Sequence, residues 1–381
     1  MTRDGGTASN SNQRGGDRLI KQESDGCAES SRYNGLKYST EINSFKVNML
    51  EPSISKFDPL LSKPLYLFYG NVLDISQETW KRLSHFLNGI EPELVDSQSF
   101  SAIIRNEGYI HNLPMRKRVH IHPMPSVTVQ EALPHTKKWW PSWDTRKKLS
   151  CISLESKEAL VQCERLEKMM RSSQVMLSKE KEMEILHHCR AMNLIWTGQH
   201  KLSPVTPEEV ECILGYPQKH TDVWGVSLDD RLRALMRSFQ INTVAYHLSV
   251  LKGLYPEGMN VLSIFSGIGG AEMALYRLGV HLKHVVSVEP VESNQEILRR
   301  WWRTSGQAGE LIEIKDIKEM SLKKIGRINQ EIGGFDIVIG SNPFVQLPKI
   351  ANRDGSAGVN FSLFCEFVRV YLQVKSILIK R

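Results

Sequence analysis

The sequence predicts an α/β protein built on a Rossmann-like, doubly wound parallel sheet. Three observations carry that prediction. The stretch "NVLSIFSGIGGAEMALYRLG", residues 260–279, runs from an apolar strand through a glycine turn into a helix. A second apolar run, "HVVSVEP", follows and reaches Glu289, 20 residues beyond Gly269. Two further apolar runs, "LIEIKDI" ending near Asp316 and "FDIVIG" leading to Pro343, continue the alternation of strand and helix. Such alternation makes a sheet whose ligand lies over the carboxyl ends of the strands.

Taken in order, residues 1–60 are rich in Ser, Asn, Gly and charge, and are expected to be a disordered tail. The folded domain, 61–381, opens with "KPLYLFYGNV", an apolar strand expected to turn at Gly70-Asn71. "SQETWKRLSHFLNGI" is an amphipathic helix with Ser76 as N-cap, an apolar face of Trp80, Leu83, Phe86 and Leu87, and Asn88-Gly89 as its stop. Basic and aromatic residues interleave over 115–149, and the charged stretch 164–190 is expected to be a mostly exposed helical insertion. The chain shows no internal repeat.

From Asn260 the residues bear on chemistry. The expected strand is Val261–Phe265, the turn Gly267–Gly270 and the helix Ala271–Leu278, ended by Gly279. Glycines there let the backbone approach a ligand at a helix N-terminus, and a carboxylate at 289 can accept hydrogen bonds from ribose hydroxyls. Three readings are open: a dinucleotide, a strand–turn–helix without ligand, and S-adenosylmethionine. A dinucleotide fingerprint needs a third glycine where the chain has Glu272. For S-adenosylmethionine the candidate set is Phe265, Ser266, Gly267, Ile268 and Gly269 beside the methionine part, Glu289 on the ribose, Asp316 near the adenine amino group, and Pro343.

The order of the parts adds a further expectation. About 120 residues follow Asn260, too few for a complete methyltransferase sheet, so the missing strands must precede it. "RSFQINTVAYHLSVLKGLYP", just upstream, looks like the helix that closes such a domain. The sheet is therefore expected to be circularly permuted, with C-terminal-type motifs and a target-recognition region in 61–257 and the cofactor-binding half in 258–381.

Composition bounds the partners. With 381 residues, 41% hydrophobic and 24% charged, the chain can bury a full core. A net charge of +7 suits a polyanion, and suits a solvated basic surface equally. The six cysteines lie far apart with no C-x-x-C pair, which points away from a zinc site or a disulfide framework and toward a reducing compartment. No apolar run approaches the ~20 residues of a membrane span, and the N-terminus has no signal-peptide core. A cytosolic or nuclear location is expected.

The motifs "IEPELVDSQSF", "GYIHNLP", "KKWWPSWDTRKKL", "ILGYPQKHT", "SFQINTVAYHLSVLK", "NVLSIFSGIGGAEMAL" and "GGFDIVIGSNPF" together resemble the plant domains-rearranged cytosine-5 DNA methyltransferases, over roughly residues 61–381. The resemblance implies a cysteine thiolate that attacks carbon 6 of a flipped cytosine, methyl transfer from S-adenosylmethionine to carbon 5, and a glutamate at the ring nitrogen. It also implies a nuclear location and association with itself or with an active paralogue. Three positions depart from the family. Phe344 stands where the family has the cysteine, Gly70 where it has the glutamate of Glu-Asn-Val, and Met236-Arg237 where it has Gly-Asn. A phenyl ring cannot form the covalent adduct. The expectation is a chain without catalysis and with weakened S-adenosylmethionine binding, acting as a regulatory partner in RNA-directed DNA methylation. Ubiquitin-associated domains, frequent ahead of this region in the family, are not recognisable in residues 1–60. The alternative is an active enzyme whose Asn-Pro-Phe turn works as in amino-group methyltransferases.

The remaining residues have plainer readings. Cys365 is expected on a buried stripe with Phe361, Phe364 and Phe367, and Cys151 has little claim to catalysis. His111, His120 and His122 have no evident metal-ligand partners. Trp139, Trp140 and Trp143 are packing residues first, with Lys137, Lys138, Arg146, Lys147 and Lys148 as candidate DNA phosphate contacts. "RRWW", Arg299 to Trp302, is expected either to face another subunit or to cap the core.

Overall fold

The computed structural model describes residues 64–73, 77–150, 152, 157–172, 177–341 and 360–379. Strand β1 (Tyr66–Leu73) opens it. The chain does not turn at Gly70-Asn71: the strand runs on to Leu73, and its register against a neighbour shifts between Tyr69 and Val72. A bulge absorbs the glycine there, as glycine inside a strand commonly marks. Helix α1 (Gln77–Phe86) buries Trp80 and Leu83 and is followed by left-handed Asn88 and Gly89, the expected stop; Ser76, its expected N-cap, lies outside the described residues. Strands β2 (Glu93–Asp96) and β3 (Asn106–His111) follow, then the single turn α2 (Val129–Ala132).

Helices α3 (Lys157–Ser172) and α4 (Lys179–Ala191) occupy the stretch expected to be an exposed insertion. Most of their residues are exposed or half-buried, as expected, but each buries one face. Cys163, Leu166, Met170, Ile185 and Cys189 join Trp196 and Leu202 of the hairpin β4 (Ile195–Gly198) and β5 (Lys201–Ser203) in a small core of their own, with Trp139, Trp140 and Trp143 packed against it. Helix α5 (Pro207–Leu214) begins with a Thr206–Glu209 capping box and ends at Gly215, φ +86°. Helices α6 (Leu228–Met236), α7 (Ile241–Leu248) and α8 (Leu251–Leu254) lead to the second half.

That half alternates as the sequence predicts: β6 (Met259–Ile264), α9 (Gly270–Arg277), β7 (Leu282–Val288), α10 (Glu292–Thr304), β8 (Glu310–Ile314), α11 (Leu322–Glu331), β9 (Ile337–Ser341) and α12 (Phe361–Ile379). The seven-stranded sheet has the order β2-β3-β1-β9-β6-β7-β8. Strands β1, β9, β6, β7 and β8 run parallel, while β3 is antiparallel to both β1 and β2. The first three strands of the chain thus extend the sheet beyond β9, its last strand.

Both faces of the sheet are covered, so the central strands read as continuous apolar runs. Val261, Val285, Ile337 and Ile339 face one core with α7 and α9; Leu262, Ile264, Val286, Val288 and Val338 face the other with α11 and α12. Trp301 and Trp302 belong to the first core at 6% and 7% exposure, so the "RRWW" tryptophans cap the core and are not an open face. Cys365 is exposed, one position round the helix from buried Phe364 and two from buried Phe367, and so lies off the stripe expected to hold it. No described helix is long and apolar enough to cross a membrane.

Candidate functional site

The site is assembled where β6, β7 and β9 end. Phe265 leaves β6 with φ +56°, a left-handed conformation that costs a residue with a Cβ about 1–3 kcal/mol and persists only when its surroundings hold it. Two hydrogen bonds do so. Its amide donates to the Val288 carbonyl at 2.7 Å, and its carbonyl accepts from Ser341 Oγ at 2.5 Å. Gly267 (φ +57°) and Gly269 (φ +84°) complete the turn. Among the described residues a Cβ at Gly267 would meet nothing within 4 Å, whereas one at Gly269 would lie 2.6 Å from Leu298 Cδ1. The turn is therefore open on one side and pressed by α10 on the other. Helix α9 has no side-chain cap at Gly269, so its first N–H groups face the turn.

Glu289 closes the turn from β7. Its carboxylate accepts from the Gly267 amide at 2.8 Å, the Val291 amide at 3.0 Å and Asn294 Nδ2 at 3.2 Å. Burial pushes its carboxyl up, against the pull of those hydrogen bonds. An ionised carboxylate accepts at about four positions, so room remains for a ligand hydroxyl. Ser266 and Ser287 share a hydrogen bond of 2.7 Å beneath the turn. His220 Nε2 donates to the Ile268 carbonyl at 2.8 Å, and burial pushes the imidazole down to about 4, which keeps it neutral near pH 7. Phe265, Ser266, Gly267, Ile268, Gly269 and Glu289 are thus brought together. Asp316 is exposed beyond β8 and caps a short turn through the Lys318 amide at 2.9 Å. Pro343 and Phe344 lie outside the described residues.

The structure adds Glu272, in the first turn of α9. It is fully buried; among the described residues neither carboxylate oxygen meets a partner of full hydrogen-bonding geometry, and burial pushes its carboxyl up to about 6 against the pull of the nearby Ser263 hydroxyl and the helix backbone. The residue stands in the sequence motif itself; its complete burial could not be read there.

One of the altered positions, Gly70, lies among the described residues. Gly70 is the register partner of Ser341, the last described residue before Pro343-Phe344. A Cβ at Gly70 would lie 2.1 Å from Tyr109 Cδ1 and 2.7 Å from Cε1. Tyr109 is itself held from β3: its hydroxyl donates to Glu107, whose carboxylate pairs with Arg105 Nε at 3.0 Å. Arg105 Nη2 in turn donates to the Ser238 carbonyl at 3.0 Å. An aromatic ring therefore occupies the space into which a side chain from position 70 would project. Met236 ends α6 and packs on the first core, and Arg237 follows as the helix cap, two residues before Phe239. Phe239 covers the start of α9, its Cβ 3.0 Å from where a Gly270 Cβ would stand.

Two of the five candidate DNA contacts are occupied within the fold. Arg146 is buried, bound to Asp144 at 2.7 Å and to the carbonyls of Cys189 and Leu194 at 2.9 Å each, so it is not the phosphate contact expected of it. Lys148 Nζ donates to three carbonyls, those of Gln98, Ser101 and Val127. Lys137, Lys138 and Lys147 are exposed.

His111, without evident partners in the sequence, joins a cluster with Glu93 and His247 whose ligand-type atoms lie within 4.8 Å of one another. The Leu113 amide donates to His111 Nδ1 at 3.2 Å, which leaves Nε2 carrying the proton toward Glu93 at 2.9 Å. Arg118 grips both Glu93 oxygens at 2.7 and 2.9 Å. Burial alone would raise the Glu93 carboxyl, but His111, His247 and Arg118 hold it far below its usual range. With that tautomer and a guanidinium already in place, the cluster is an ionic tie between β2, β3 and α7.

No protein-family model matches the chain. Relatives do. The "Probable inactive DNA (cytosine-5)-methyltransferase DRM3" of Oryza sativa subsp. japonica is 48% identical over 318 residues, 84% of this chain and 47% of that protein. The protein of the same description from Arabidopsis thaliana is 43% identical over 335 residues, 87% of this chain and 47% of its own length. The "DNA (cytosine-5)-methyltransferase DRM2" of Oryza sativa subsp. japonica is 45% identical over 315 residues, 82% and 52% respectively. The chain spans about half the length of the curated relatives it matches. Over that half, the chain belongs to the plant domains-rearranged DNA methyltransferase family.

Proposed function

We propose that this chain is a catalytically inactive member of the family, one that retains the cofactor-binding frame and acts as a regulatory partner of an active paralogue in RNA-directed DNA methylation in the nucleus. The observation that carries the reading is the contrast between two neighbouring places. The turn 265–270 is held by Glu289, Val288 and Ser341, while at Gly70 the acid is missing and Tyr109 fills the space. An enzyme needs both a thiolate and an acid partner beside the base, and this chain has Phe344 and Gly70 there. The similarity to relatives described as probable inactive supports the same reading.

The sheet order supports circular permutation. Strands β1 to β3, which come first in the chain, take the places that would follow β9 in an unpermuted sheet. The residues present fit S-adenosylmethionine: space at Gly267 that no described residue fills, a left-handed backbone that lets a ligand approach, and a buried carboxylate with acceptor capacity to spare. Phe265 to Gly269 would flank the methionine part and Glu289 the ribose. When bound, the group supplies an electrophilic methyl. This chain offers no nucleophile at 344 to prepare a pyrimidine for it. Binding is weakened by Arg237, which brings a cation to the segment covering the start of α9. Lys137, Lys138 and Lys147 remain as DNA phosphate contacts.

Incubation with tritiated S-adenosylmethionine and cytosine-containing duplex DNA is expected to give no incorporation above a heat-killed control. Addition of the chain to an active paralogue is expected to raise that enzyme's stability or rate, since a partner that binds only the folded form stabilises it by mass action. Incorporation by the chain alone, or no change in the paralogue at tens of micromolar, defeats the reading.

A further inference from the structure

We infer that Glu272 is a specificity-determining residue of the cofactor frame: a carboxylate held without a counter-charge behind the glycine turn, it reads the sulfonium charge of S-adenosylmethionine and separates that molecule from S-adenosylhomocysteine, which lacks the charge. The inference rests on the cofactor-binding frame proposed above. The two molecules share the ribose and the adenine and differ by one methyl group and one positive charge, so an acceptor of ribose hydroxyls such as Glu289 cannot tell them apart. A charged group can.

Glu272 stands in the first turn of α9, three residues beyond Gly269, the end of the turn that would flank the methionine part. It is fully buried, and a buried carboxylate is costly unless paired. The donors near the turn are spent on other acceptors. Ser266 and Ser287 bond to each other at 2.7 Å, Tyr216 Oη donates to the Phe239 carbonyl at 3.2 Å, and His220 Nε2 donates to the Ile268 carbonyl at 2.8 Å. Ser263 brings a hydroxyl close, and no charge. Arg277, the cation of the same helix, is committed to the Gly215 carbonyl at 3.1 Å and to Asn242 Oδ1 at 3.4 Å.

The titratable groups that face Glu272 leave its charge uncompensated. Glu289, at the end of β7, is a second buried carboxylate and raises the Glu272 carboxyl beyond what burial does. Tyr216, from the loop after α5, is pushed far up by burial and stays a neutral phenol; the Arg105 and Glu107 charges that act on it are paired with each other at 3.0 Å. Two buried carboxylates near one another ionise against each other's charge, so the second holds its proton longer. A sulfonium in the turn lowers that cost, and Glu272 releases its proton to the solvent as the cation arrives. A ligand without the charge leaves the proton in place. The ionised carboxylate then favours the cation by Coulomb attraction in a site shielded from water.

Calorimetry of the full chain near pH 6, where the Glu272 carboxyl is half-ionised, in two buffers of unlike ionisation enthalpy, reads the proton release. S-adenosylmethionine is expected to release about a third of a proton or more per site, and S-adenosylhomocysteine little or none. The affinity ratio of the first to the second is expected to rise about threefold to tenfold between about pH 5 and pH 7.5 in the parent and to stay flat in Glu272→Gln, since a shift of one unit in a carboxyl is a tenfold change in binding. The proton count needs no variant, so it decides the matter even if Glu272→Gln folds poorly. Equal proton release with the two ligands, or a ratio that stays pH-dependent in a folded Glu272→Gln, overturns the inference and leaves the cofactor frame standing. Binding of neither ligand overturns the frame and the inference with it.

Discussion

Tyr109 stands against Gly70 so closely that a Cβ at position 70 would lie 2.1 Å from its Cδ1 atom. The ring is fixed by Glu107 and Arg105 behind it, so the glycine and the tyrosine are one packing unit across β1 and β3. Substitution at 70 is therefore a steric change before it is a chemical one. Gly70→Ala is expected to cost about 1–3 kcal/mol, the ordinary penalty of overpacking. In a Tyr109→Ala background the same substitution should cost less, and a double-mutant cycle by urea unfolding reads the coupling. Additive costs would show that the ring yields freely.

The same contact bears on the proposed loss of catalysis. Phe344→Cys alone is expected to remain at background in the tritium assay, because Gly70 offers no acid and that assistance is typically worth ~10²- to 10⁴-fold. Adding Gly70→Glu to it is expected to lower the melting temperature without methyl transfer. Efficient methylation by Phe344→Cys would remove Gly70 from the explanation.

Glu272 makes stability depend on pH in a defined direction. Its folded carboxyl is pushed up to about 6 from an ordinary 4.5. The folded state therefore holds the proton more tightly than the unfolded chain. The contribution is fully present below about 4.5 and is lost as pH rises through about 6. The shift of about 1.5 units corresponds to about 2 kcal/mol. The stability difference between the parent and Glu272→Gln is expected to move by about that amount in the variant's favour between pH 4.5 and 7.5, as measured by chemical denaturation. A difference constant with pH would mean that the carboxylate is partnered when ionised.

Arg146 and the exposed lysines are expected to separate cleanly. Asp144 is wholly buried beneath Arg146 and also accepts from Trp196 Nε1 at 2.7 Å. Arg146→Ala leaves that charge unpaired, and a destabilisation of about 3–5 kcal/mol is expected. Alanine at Lys137, Lys138 or Lys147 should leave the melting temperature unchanged. Each of these that contacts phosphate should reduce the salt slope of DNA binding by about 1. Unfolding curves and a salt titration of DNA affinity read the two effects apart.

Calorimetry with S-adenosylmethionine tests the cofactor frame. Weak binding is expected for the parent, and none for Glu289→Ala, which removes the acceptor of the Gly267 amide. Submicromolar binding by the parent would show that Arg237 does no harm. Unchanged binding by Glu289→Ala would take Glu289 out of the site.

The sequence by itself determined the frame from β6 to β9, because each element there is specified by near neighbours: an apolar run, a glycine turn, a helix. For the same reason Phe265 to Gly269 and Glu289 were legible, and their distances only made the arrangement definite. It also determined what is absent, since no fold can supply a thiolate from Phe344 or a carboxylate from Gly70. Tertiary structure decided the roles that depend on residues far apart in the chain. Arg146 became interior because carbonyls 43 and 48 residues away close over it. Trp301 and Trp302 were buried, and Trp224 left bare, by the helices packed around them and not by their own neighbours. Tyr109 came to fill the place at Gly70 because β1 and β3 pair antiparallel with a bulge between Tyr69 and Val72. A side chain's type is local, but its burial and partners are set by long-range packing, which one sequence read along its length does not contain.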